Sequence, residues 1–149
     1  MKRPWCTTAA ALAAAIAIAA TGADAAGTCV SLHVGAPGSD AAASPAFVVI
    51  RDLPVPAAGA TIVVSAHARA VADGTRLATL FVVGSSRLTG TVQRTVQSPV
   101  QAAPAIADAL ARDAHATVTI QICRPHETAP CTTVGPLAIT VERGAAGST

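Results

Sequence analysis

Apolar residues recur at every second position along most of the chain, the period of a strand with one buried face. Val30, Leu32 and Val34 alternate with Ser31 and His33, and Thr91 to Gln97 alternates through Val92 and Val96. Val118, Ile120 and Ile122 alternate with Thr117, Thr119 and Gln121; Leu137, Ile139 and Val141 do so with Thr140 and Glu142. Phe47 to Ile50 is a solid apolar run suited to a strand buried on both faces. Thr61 to His67 follows breaks at Pro54, Pro56 and Gly59, and Leu77 to Val83, the most hydrophobic stretch, ends at Gly84. Seven strands with Gly, Pro and Ser between most of them are predicted. One segment departs from the period. Across Pro104 to Ala114, Ile106 and Leu110 stand four apart, as do Asp108 and Arg112, and Pro104 suits a first helical turn. The pattern predicts an all-β fold: a single antiparallel β-sandwich of about seven strands, immunoglobulin-like or jelly-roll-like, with one short helix closing one end.

The core follows from the same alternation. Ile62 and Val64, Val118, Ile120 and Ile122, and Leu137, Ile139 and Val141 are expected to meet between two sheets, with Ile106 and Leu110 at one end. In Leu77 to Val83 the inward set is either Leu80 and Val82 or their alternates Phe81 and Val83. Phe81 is read as a buried side chain, so Phe81→Ala would cost about 3–5 kcal/mol. Thr91→Ala and Gln97→Ala, on a wet face, would cost under about 0.5 kcal/mol.

The N-terminus carries an address. Lys2 and Arg3 precede an apolar run from Ala9 to Ala20, too short for the roughly 20 residues of a membrane span, and Ala23-Asp24-Ala25 forms an A-x-A cleavage site. The expected organisation is a cleaved signal peptide over 1–25, a β-sandwich domain over 26–143 and a flexible tail over 144–149. Abundant Ala and Arg with a single lysine, Lys2, resemble the output of a GC-rich bacterial genome, so the destination is periplasmic or secreted.

Charge and composition then remove several function classes. After cleavage, eight Arg stand against five Asp and two Glu, a balance too weak to hold nucleic acid or an anionic membrane. Tyr is absent and the single Trp, Trp5, leaves with the signal, so there is no platform for stacking bases or sugars. No Gly-x-Ser-x-Gly elbow and no Gly-rich loop leading to Lys occurs. An enzyme is not expected, nor a cofactor. Asp52 and Asp73, beside Arg51 and Gly74, read as solvated or capping carboxylates.

Cysteine and histidine supply the remaining candidate chemistry. Cys6 departs with the signal, leaving Cys29, Cys123 and Cys131, which allow three single bridges in an oxidising compartment. Local closure of the Pro-flanked loop favours Cys123 with Cys131, adding roughly 2–3 kcal/mol and leaving Cys29 over. A bridge from Cys29 to either would instead tie the first strand to the last hairpin. Cys123, His126 and Cys131 also read as a three-ligand metal site. His33, His67, His115 and His126 form no closely spaced pair and read as surface imidazoles. Gathered by the fold, they would make the chain a small periplasmic copper or zinc protein, the alternative to an interaction module that engages another exported protein.

The order of the later elements carries a family likeness. Leu77-Ala78-Thr79-Leu80-Phe81-Val82-Val83-Gly84 is followed by a loop, the helix around Ile106-Ala107-Asp108-Ala109-Leu110, then Val118 to Pro125 and Val134-Gly135-Pro136-Leu137-Ala138-Ile139. From about Phe47 to Arg143 this resembles the C-terminal β-sandwich of tyrosinases and polyphenol oxidases. In that family the paired aromatics stand where Val82 and Val83 stand here, the proline falls elsewhere than Pro125, and no cysteine-bracketed loop is present. The paired histidine motifs of the family's di-copper domain are missing. What the resemblance implies is a freestanding relative of the domain that shields the copper site, an accessory role without catalysis.

Overall fold

The computed structural model describes residues 27–35, 46–85, 87–125 and 131–144. The signal segment with its cleavage site, His126 and the tail beyond Gly144 lie outside the described residues. Seven strands and one helix follow in the order β1 (Cys29–Val34), β2 (Phe47–Pro56), β3 (Gly59–His67), β4 (Thr75–Val83), β5 (Thr91–Pro99), α1 (Pro104–Arg112), β6 (Thr117–Cys123) and β7 (Thr132–Arg143).

Each predicted strand is present, and β2 and β7 are clearly longer than expected. β2 continues through Pro54 and Pro56, which the sequence pattern marks as breaks. Its pairing with β1 ends at Cys29 opposite Arg51, while β5 follows it to Pro56 opposite Thr91. One side of β2 therefore has no partner strand there, and a missing N–H costs no ladder bond. A bulge between Ile50 and Leu53 marks the change, with Asp52 at φ 54°. Its carbonyl accepts the Thr28 hydroxyl at 3.0 Å.

The strands form one mixed sheet in the order β4-β3-β6-β7-β1-β2-β5, nearly closed on itself like a barrel. This corrects the strictly antiparallel expectation. β7 pairs antiparallel with β6 from Thr132 to Ala138, then runs parallel to β1 from Ile139 to Arg143. The first and last strands can lie parallel because the whole intervening chain serves as their crossover. Past the end of that pairing, the Gly144 N–H donates to the Val34 carbonyl at 2.9 Å.

Folding the sheet over brings Leu32, Ile50, Leu53 and Val55 into one core with Ile62, Val64, Leu77, Val118 and Ile120. Helix α1 starts at Pro104 with no side-chain cap and buries Ala107 and Leu110, while Ile106 packs at the core's margin. In β4 the choice between two faces falls on Leu80 and Val82. Phe81 is 77% exposed and Val83 86%, so the buried Phe81 of the sequence reading is overturned. The cause is a bulge: Val64 pairs with Ala78 and Ser65 with Arg76, so Leu77 is an extra residue and both Leu77 and Ala78 are buried.

Candidate interaction surface

β4 ends the strand order, with β3 on one side and no strand on the other. Its outward face carries Thr79, Phe81 and Val83. Across the sheet, Phe81 stands opposite Thr61, which stands opposite Cys123 on β6. Thr79 likewise meets Val63, and Val63 meets Gln121.

After Val83 the chain is strapped to the β2–β3 turn. The Ser85 N–H donates to the Ala57 carbonyl at 3.0 Å, and the Ala57 N–H donates to the Gly90 carbonyl at 2.9 Å. A Cβ at Gly84 would collide with the backbone of Ala58 and Gly59, so only glycine allows this approach. The strap holds Leu88, 55% exposed, beside a groove of about 350 Å³ that Pro56, Gly59, Arg124 and Pro125 also line. Phe81, Val83 and Leu88 are the exposed large hydrophobic side chains among the described residues, and all three fall in this one stretch. The guanidinium groups of Arg76 and Arg87, both exposed, make no ion pair or hydrogen bond among the described residues.

Cys123 and Cys131 are joined, with Cα atoms 4.4 Å apart, at the base of the β6–β7 loop. The bridge occupies both thiols, which removes them as metal ligands. No described cysteine has a free thiol: Cys29, which the Cys123–Cys131 closure leaves over, is itself disulfide-bonded.

The three described histidines stand on different elements. His33, on β1, approaches Glu142 of β7 through Nδ1 at 3.3 Å, and its Nε2 is buried without a hydrogen-bond partner. His115 is exposed in the turn before β6, and its backbone N–H donates to Asp113 Oδ1 at 2.9 Å. His67 has two partners. Nδ1 lies 2.5 Å from Asp73 Oδ1 and Nε2 lies 2.9 Å from Thr119 Oγ1. In the neutral tautomer with the proton on Nδ1, Nδ1 donates to the Asp73 carboxylate and Nε2 accepts the Thr119 hydroxyl. This chain ties β3, the β3–β4 turn and β6 together on the open outer face. Among the described residues no three His, Cys, Asp or Glu side chains stand where they could share a metal ion, and no helix is long and apolar enough to cross a membrane.

Sequence reasoning missed the Thr119 partner and the Asp113 carboxylate. Oδ2 of Asp113 accepts the Arg69 backbone N–H at 3.1 Å, joining the β3–β4 loop to the end of α1. The backbone N–H of His115, then that of Arg69, hold this carboxyl below its ordinary value. Its position right after α1 was the available signal; the residue 44 positions away was not. No protein-family model, curated protein or solved structure matches the chain.

Proposed function

We propose that the chain is an exported, non-enzymatic interaction module with an immunoglobulin-like sandwich architecture, which engages another protein through the end of β4 and the loop after it. The observation carrying this reading is the confinement, among the described residues, of the exposed large apolar side chains to Phe81, Val83 and Leu88. An apolar cluster left in water on an otherwise covered domain marks a contact surface. The A-x-A segment and the disulfide at the β6–β7 loop support export. The likeness to the tyrosinase shielding domain supports an accessory role beside a larger exported protein.

The test is site-specific photocrosslinking in the exporting bacterium. A photoreactive residue at position 81 is expected to yield a discrete protein adduct, and one at Thr95 on β5 none. The recovered chain is expected to begin at or near Ala26. Equal labelling at both positions, or none at 81, would end this reading of the surface.

A further inference from the structure

The two outer strands of the sheet differ in how they are guarded. β5 carries Arg94 half-buried on its inner side, Pro99 at its end and Thr91, Gln93, Thr95 and Gln97 outward. An inward-leaning charge and a terminal proline discourage the addition of another strand. β4 has neither protection beyond Leu77. The Gln101 N–H donates to the Leu77 carbonyl at 2.7 Å and closes the edge there. From Thr79 to Val83, β4 pairs only with β3. That open length spans roughly 17 Å at the usual strand rise, enough for a short extended segment.

Resting on the interaction-module reading, we infer that β4 takes an extended peptide strand of another protein by edge addition, apolar at alternate positions and acidic at its ends. Main-chain hydrogen bonds along Thr79 to Val83 would supply affinity, and alternate side chains the choice of partner. The incoming strand continues the outer face, so its apolar residues lie beside Phe81 and Val83, where cross-strand pairs stabilise a sheet. Charge selects the ends. Arg76 opens β4 and Arg87 follows its end, both exposed and without a charged partner among the described residues, and β4 itself holds no carboxylate. Lysine-rich strands would meet like charge, which costs affinity and slows encounter.

The test uses two capped peptides of about nine residues with valine and threonine alternating, one ending in glutamates and the other in lysines. Binding to the full mature chain is followed through backbone amide shifts. The acidic peptide is expected to shift the Thr79 to Val83 amides and to bind at least about fivefold more tightly than the basic one. The Arg76→Glu/Arg87→Glu double variant is expected to reverse that order, and its unchanged thermal midpoint shows that it folds. Equal affinities, no binding of either peptide, or dimerisation through the same amides without peptide would overturn the inference. Adduct formation at position 81 with failure of both peptides would discard strand addition and leave the contact surface standing. Failure of both experiments would discard both.

Discussion

Asp52 shows how much one backbone angle can decide. At φ 54° it occupies the left-handed region in the bulge that lets β2 leave β1 and continue with β5 alone. Asp tolerates that region better than most residues, and a β-branched side chain does not. Asp52→Gly is expected to stay within about 0.5 kcal/mol of wild type, and Asp52→Val to lose about 1–2 kcal/mol or more. Urea unfolding of the two variants checks the order. The sequence offered Asp52 only as a turn carboxylate, because a bulge depends on which neighbour strand stops, and that neighbour is more than twenty residues away. Leu77 hid for the same reason. Thr79, on the outward face with Phe81 and Val83, is the one polar mark between Leu77 and Val83, and nothing in the run reveals the extra residue opposite Val64 and Ser65 that lets Leu77 and Ala78 both be buried.

At the scale of elements, the alternating strands and the Ile106–Leu110 spacing of α1 were legible because each depends on residues within one turn or one pleat. Pairing that joins elements was not. β7 leaving β6 to run beside β1, and Asp113 fastening α1 to the β3–β4 loop, link residues far apart in the chain. Asp113 makes a distinct prediction. Its carboxyl is depressed, chiefly by the His115 backbone N–H, so the charged form is favoured in the folded state. The stabilisation is present above its unfolded value of 3.8 and is lost as pH falls through the lower folded value. Asp113→Asn is expected to flatten the acid limb of stability over that window. Thermal melts in a pH series, wild type against variant, measure it; superimposable acid limbs would contradict the linkage.

For the whole molecule, the fold separates two jobs along a single strand. The inner face of β4 holds the core through Leu77 and Ala78, and the outer face leaves Phe81 and Val83 in water, a few residues before the exposed Leu88. The weak net charge, with the expectation against a nucleic-acid partner that it carries, was legible in the composition. The site itself was hidden, because exposure of an apolar residue is a property of the assembled sheet. The direct measurement is equilibrium unfolding of Phe81→Glu beside Leu77→Ala. A fully buried leucine cut to alanine is expected to cost about 2–5 kcal/mol, whereas a charge placed at an exposed position is expected to change stability by no more than about 0.5 kcal/mol. A loss at Phe81→Glu as large as that at Leu77→Ala would place Phe81 inside the core and leave no apolar surface at β4 for a partner to bind.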